Sequence, residues 1–110
     1  MNAADTKLYK YYFAPTQSRI FPQAKEIADL AYKHEILDNE QGICHVVTFT
    51  EDQLDLMAFF YNVARNLLPP LGIYFKDGIL SRLEIQRKLE KAGYISSNGK
   101  KPQEYVPKLH

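Results

Sequence analysis

The stretch TEDQLDLMAFFYNVARNLL, residues 50–68, combines helix signals with apolar residues over a longer run than any other part of the chain. Thr50 can cap a helix with its hydroxyl, and Gln53, three residues later, can accept a hydrogen bond from the Thr50 N–H. At 3.6 residues per turn, the apolar residues cover two adjoining faces. Pro69 ends the pattern because proline has no N–H for the next helical hydrogen bond. The stretch therefore predicts a long central helix that is buried on two sides.

The residues before this helix predict a crossover of strand, helix and strand. Residues 8–14 and 43–49 have the aromatic and β-branched composition of strands, and the second run is apolar on both faces. Between them, a one-sided apolar pattern begins near Pro22, which suits the first turn of a helix, and ends near Ile36. Residues 37–42 are polar and predict a loop. A crossover of this kind predicts that its two strands lie parallel.

The residues after the central helix predict a hairpin, a second helix, and a terminal hairpin or extended tail over residues 94–110. Asp77-Gly78 lies between two short apolar runs, which is typical of a tight turn. Ser81 and Glu84 have the spacing of a capping box, and Gly93 suits a left-handed helix end. The whole pattern predicts one small α+β domain.

Length and composition are those of an ordinary globular domain. Of the 110 residues, 45% are hydrophobic and 25% are charged, and the net charge is only +1. No run approaches the roughly 20 apolar residues of a membrane span, and the first residues lack the apolar region of a secretory signal. The single cysteine cannot form an internal disulfide. We therefore expect one domain over residues 1–110, frayed at residues 1–6, in the cytosol and without a membrane partner.

The charge is unevenly distributed along the chain. Residues 1–55 carry five basic and nine acidic side chains, a net charge of −4, whereas residues 56–110 carry nine basic and four acidic side chains, a net charge of +5. Such an asymmetry favours an anionic partner for the second half, or self-association through opposite patches. A scatter of solvated charges is the alternative.

Basic residues concentrate in residues 81–108, which contain a predicted capped helix followed by a hairpin around Asn98-Gly99. In outline this segment resembles the recognition helix and wing of a winged-helix DNA-binding domain. The resemblance implies that basic side chains of the helix and of the hairpin contact phosphates. These candidate residues are Arg82, Arg87, Lys88, Lys91, Lys100 and Lys101. Solvated surface charge is the alternative interpretation.

The first predicted strand is unusually rich in tyrosine. Tyrosine is favoured at protein interfaces, so these side chains are candidates for contact with a protein partner or with a second copy of the chain. They are Tyr9, Tyr11 and Tyr12. Interleaved with Lys7 and Lys10, the same side chains could instead form a platform on which single-stranded bases stack. In either case one face of the strand must serve the core.

The sequence does not predict a catalytic, metal or cofactor site. Cys44 and His45 are neighbours on a predicted strand and point to opposite faces, so they cannot act as nucleophile and base for each other. Cys44 is expected to be a small core residue, and His45 a hydrogen-bonded core histidine. Neither a C-x-x-C nor an H-E-x-x-H motif is present, and no glycine loop precedes the central helix.

These observations favour a small non-enzymatic binding or regulatory protein that acts through protein contacts, including self-association. Binding of nucleic acid through residues 81–108 is the first alternative. A small enzyme, or an accessory subunit of an enzyme complex, is the second alternative, because no set of polar residues converges by spacing alone.

Overall fold

The computed structural model describes residues 7–95, which form a three-stranded sheet and three α-helices. In chain order the elements are β1 (Leu8–Phe13), α1 (Ile20–Ala28), β2 (Lys33–Asn39), β3 (Gly42–Thr50), a single turn of 3₁₀ helix (Glu51–Gln53), α2 (Leu54–Ala64) and α3 (Ile73–Lys91). This architecture confirms the predicted α+β class. Within the described residues, no helix has both the length and the apolar character needed to cross a membrane.

β3 is the central strand of the sheet, and both of its neighbours run antiparallel to it. The prediction that the strands at residues 8–14 and 43–49 lie parallel is therefore wrong. A strand-helix-strand crossover is present between a different pair of strands, β1 and β2, which are parallel to each other and separated by β3. β2 and β3 form a hairpin in which Asn39 pairs with Gly42.

β2 occupies residues for which the sequence predicts the end of a helix and a loop. α1 ends at Ala28, with Asp29 as its C-cap, well before the predicted end near Ile36. The misassignment has a physical reason, because β2 lies at the edge of the sheet and has the polar sequence KHEILDN. An edge strand of this composition lacks the apolar alternation by which strands are recognised.

The predicted central helix is confirmed, although it is shorter than expected. The capping box of Thr50 and Gln53 is present, and the Thr50 N–H donates to Gln53 Oε1 at 3.3 Å. The helix presents Phe60 to the sheet, where its ring lies 5.1 Å from that of Tyr11 and 5.5 Å from that of Phe49. These aromatic contacts fix α2 on one face of the sheet.

A hydrogen bond from β1 also fixes the end of α2. The Tyr11 hydroxyl donates to the carbonyl oxygen of Ala64 at 2.6 Å, and it lies 3.2 Å from that of Leu67. Carbonyls in the last turn of a helix lack partners within the helix. The Ala64 carbonyl also accepts from the Leu67 N–H at 2.8 Å, so the buried tyrosine adds a second donor at the end of α2.

α3 replaces the hairpin predicted around Asp77-Gly78. It is a continuous helix of 19 residues, so Ser81 and Glu84 lie in its interior and do not form an N-terminal capping box. Gly93, with a φ of 88°, follows the end of the helix as predicted. The prediction of a terminal hairpin or tail falls almost entirely outside the described residues.

Gly78 has a packing role that explains why glycine occurs inside this helix. A Cβ atom at this position would lie 2.7 Å from the Cβ of Pro69 and 3.0 Å from the Cβ of Tyr12. The missing side chain lets α3 pack closely against the Pro69 segment and β1. One turn before Gly78 the Tyr74 ring stacks on Tyr12 at 6.1 Å, and one turn after it the Arg82 guanidinium lies 5.8 Å from the Tyr11 ring. α3 therefore covers the β1 side of the sheet.

We expect Gly78→Ala to destabilise the protein even though alanine favours helices more than glycine does. The helix propensity gained is about 1 kcal/mol, whereas overpacking costs about 2–3 kcal/mol, the upper part of the usual range, because the new Cβ would lie within 3.0 Å of a rigid proline ring. The free energy of unfolding in urea should fall by about 1–2 kcal/mol. Asp77→Ala, at the exposed neighbouring position, is the matched control and should change it by less than about 0.5 kcal/mol. A Gly78→Ala variant as stable as the wild type would contradict this role.

Candidate functional site

Three polar side chains form a hydrogen-bonded chain on the core face of the sheet. Asp29 Oδ1 lies 2.6 Å from His34 Nδ1, and His34 Nε2 lies 2.9 Å from His45 Nδ1. A carboxylate only accepts, so the Nδ1–H of His34 donates to Asp29. In neutral His34 this leaves Nε2 as the acceptor for the Nδ1–H of His45. Each side chain thereby fixes the tautomer of the next.

The fold brings these residues together from three elements. Asp29 is the C-cap of α1, His34 is in β2 and His45 is in β3. In the β2–β3 register, His45 pairs with Ile36 and His34 pairs with Val47. Directly paired residues share a face of an antiparallel sheet, so the two imidazoles are diagonal neighbours on one face.

Aromatic rings enclose the inner end of this chain. The His45 ring stacks on that of Phe13 at 5.2 Å and meets the edge of the Phe21 ring, also at 5.2 Å. Only 4% of His45 is exposed. The prediction of a hydrogen-bonded core histidine is therefore confirmed, with His34 as its partner.

The surroundings of His45 favour its neutral form. Burial lowers its pKa below the usual value, and the nearby charges of His34 and Lys25 lower it further, while Asp29 acts in the opposite direction. Cys44, on the other face of β3, is also buried, and burial raises the pKa of its thiol to about 11. A thiol with this pKa is protonated at neutral pH and is a poor nucleophile.

The chain of Asp29, His34 and His45 is suited to structural and protonation roles. The facing nitrogens of the two imidazoles already bond to each other, and no group of three or more His, Cys, Asp or Glu in residues 7–95 is arranged to hold a metal ion. A cleft of about 370 Å³ opens elsewhere, between the β1–α1 loop and the end of α2. None of the residues that line this cleft is titratable.

The tyrosines predicted as protein-contact residues lie largely inside the molecule. Tyr9 is 4% exposed and Tyr11 is fully buried, so the structure corrects their assignment to a surface. The Tyr9 hydroxyl donates to Glu51 Oε2 at 2.8 Å, and burial, followed by this bond, raises the Tyr9 pKa to about 12. Tyr12, on the opposite face, is half-buried beside Tyr74. Both faces of β1 are therefore covered, and the predicted stacking platform is not available on them.

The predicted phosphate-contact residues divide into three groups. Lys88 forms an ion pair with Glu51 at 3.0 Å, and Arg82 donates to the Arg65 carbonyl, so both are engaged within the protein. Arg87 and Lys91 are exposed, and neither forms an ion pair with another described residue. The two remaining candidates, Lys100 and Lys101, lie outside the described residues.

Two groups of exposed apolar side chains were not predicted from the sequence. The first, the edge group, lies in and around β2 and consists of Leu30, Tyr32, Ile36 and Ile43. The second, the loop group, lies between α2 and the first turn of α3 and consists of Leu68, Leu71, Ile73 and Phe75. The first group was missed because the sequence does not predict β2 as a strand. The second group was missed because part of it falls in the hairpin predicted around Gly78.

Comparisons of the chain with protein-family models, with curated proteins and with solved structures found no match. What the protein does must therefore be inferred from its own residues.

The burial of His45 predicts a pH dependence of stability. Because the pKa of folded His45 lies below the value of about 6.5 found in unfolded chains, the unfolded protein takes up a proton that the native protein resists. The stability that neutral His45 contributes is thus fully present above about pH 6.5 and is lost as the pH falls towards the lower pKa of the folded state. Between the unfolded and the folded pKa, the loss is about 1.4 kcal/mol per pH unit.

We therefore expect the free energy of unfolding to fall more steeply between about pH 7 and pH 5 in the wild type than in His45→Phe. Phenylalanine keeps the ring packing against Phe13 and Phe21 but cannot titrate. Urea denaturation at a series of pH values measures the two slopes. Equal slopes would assign the acid sensitivity to other groups.

Proposed function

We propose that this chain is a small non-enzymatic binding protein that acts through protein contacts, first of all with a second copy of itself. The observation that supports this proposal is the amount of apolar side-chain surface exposed to solvent. In the loop group Leu71 is 75% exposed, and in the edge group Ile36 is 59% exposed. Exposed apolar residues grouped in this way are typical of surfaces that another protein covers.

The chemistry of the interior is consistent with a binding role. Its hydrogen-bonded His45 is enclosed by aromatic rings, and its cysteine is a buried free thiol. The cleft beside the β1–α1 loop has no titratable residue to act as an acid or a base. A buried free thiol also suits the reducing environment of the cytosol, where we place the protein in this proposal.

Sedimentation velocity tests the proposal on the wild-type protein. Between about 1 µM and 1 mM the weight-average sedimentation coefficient should rise from that of a monomer to that of a dimer. Because apolar surface drives the association, the midpoint should change little between about 0.05 M and 0.5 M salt. A protein that remains monomeric at about 1 mM would contradict self-association.

Nucleic-acid binding is the second candidate, and one observation favours it. Arg87 and Lys91 are exposed on the last two turns of α3, and the chain continues from there towards Lys100 and Lys101. Cations without an acidic partner are the side chains available to phosphates. An interface of this kind would use the end of α3, since Arg82 and Lys88 have partners within the protein.

Fluorescence anisotropy with duplex and single-stranded oligonucleotides at low salt tests this alternative. If Arg87 and Lys91 each neutralise one phosphate, changing both to Ala should reduce the slope of log affinity against log salt by about 2. Lys76→Ala, at an exposed position near the start of the same helix, should leave the slope unchanged. An absence of binding at about 0.1 mM protein would remove the alternative.

A further inference from the structure

Within residues 7–95, the outer edge of β2 is the open edge of the sheet. In the strand order β1-β3-β2, the β1 side is covered by α3, whose Tyr74 and Arg82 pack on β1 side chains. No backbone hydrogen bond joins β2 to any described residue outside the β2–β3 ladder. Half of the N–H and C=O groups of a strand point away from a single neighbour, so β2 presents a row of donors and acceptors that no described residue pairs.

We infer that β2 pairs antiparallel with β2 of a second copy of the chain, with Ile36 opposite Ile36, to form a continuous six-stranded sheet. The inference rests on the proposed self-association and specifies the surface through which it occurs. The two strands are related by a two-fold axis normal to the sheet at Ile36. Such an isologous contact closes on itself and gives a dimer.

The charge pattern of β2 is compatible with a second β2 as the occupant in this register. With Ile36 at the axis, Lys33 faces Asn39 of the other copy, His34 faces its Asp38, and Glu35 faces its Leu37. No charged side chain is directly opposite a like charge. Charges on an edge strand usually prevent pairing, but in this arrangement they are compatible with a second β2.

The two neighbouring symmetric registers are less favourable. An axis at Glu35 places two carboxylates directly opposite each other, and like charges in that position are destabilising. An axis at Leu37 places each Ile36 opposite an Asp38. Registers in which the numbers of two paired residues add up to an odd value, such as Glu35 opposite Ile36, are excluded. They would pair side chains from opposite faces of the sheet.

Pairing around Ile36 also gives the exposed Ile36 side chain of the edge group an apolar partner. Ile36 shares the core face of the sheet with His45 because the two residues pair across the β2–β3 ladder. Ile43 lies on the same face beside them, opposite Asp38. A second β2 would extend this face and bring the two Ile36 side chains together at its centre.

Cross-linking through an engineered cysteine tests the register. Residues directly opposite in an antiparallel pair have Cα atoms about 4.5–5.5 Å apart, within the range of a disulfide. In Ile36→Cys, two thiols should therefore join as one disulfide, giving two electrons and two protons to added oxidised glutathione. Asp38→Cys is the matched control, since its copies are separated along the strands by four residues, about 13 Å. Only the first variant should form a covalent dimer.

Sedimentation of two lysine variants tests the location of the interface without cross-linking. Ile36→Lys brings two like charges together at the axis and should weaken dimerisation at least tenfold, whereas Leu71→Lys, in the loop group, should not. Both positions are exposed, and circular dichroism with thermal unfolding checks that the variants remain folded. Protection of the β2 backbone amides from hydrogen exchange in the wild-type dimer gives a further measurement of the interface, and it needs no substitution.

The possible outcomes separate this inference from the proposed function. A wild-type dimer that Leu71→Lys disrupts and Ile36→Lys does not would overturn the β2 interface and leave the homodimer intact. Cross-linking of Asp38→Cys in place of Ile36→Cys would overturn the register. A wild-type monomer at about 1 mM would overturn the homodimer together with this inference.

Discussion

The fold depends on the packing of Phe60 against the aromatic face of the sheet. Its ring meets those of Tyr11, Phe13 and Phe49, which come from β1 and β3, at centroid distances of 5.1, 5.7 and 5.5 Å. One side chain of α2 thereby holds together two strands that are far apart in the chain. Truncation of such a buried ring costs about 3–5 kcal/mol, which is a large part of the stability of a small domain.

Short-range signals in the sequence were sufficient for the elements that match the prediction. The capping box at Thr50, the helix after it and the glycine that ends α3 each depend on residues within a few positions of one another. The errors came from tertiary context. Gly78 has the local pattern of a turn, yet it lies in a helix because Pro69 and Tyr12 pack where its side chain would be.

The candidate site was less predictable than the fold because it is assembled from three elements. The sequence places His45 in the core, but its partner is His34 of a strand that lacks an apolar pattern. The alternation of side chains along β1 likewise did not decide whether its tyrosines are buried or exposed. It assigns residues to two faces of the strand but does not show what covers each face. α2 covers the face that carries Tyr11, and α3 contacts β1 on both faces, so Tyr9 and Tyr11 are core residues.

The position of β1 has a consequence for how the chain is synthesised. β1 is made before the strand and the helices that cover it, and its Tyr11 hydroxyl bonds to a carbonyl 53 residues later in the chain. Until those later elements leave the ribosome, the aromatic sequence LYKYYF has no partner. Short aromatic strands with little charge are prone to intermolecular β-pairing when exposed. The nascent chain is therefore most vulnerable to aggregation while its C-terminal half is still being translated.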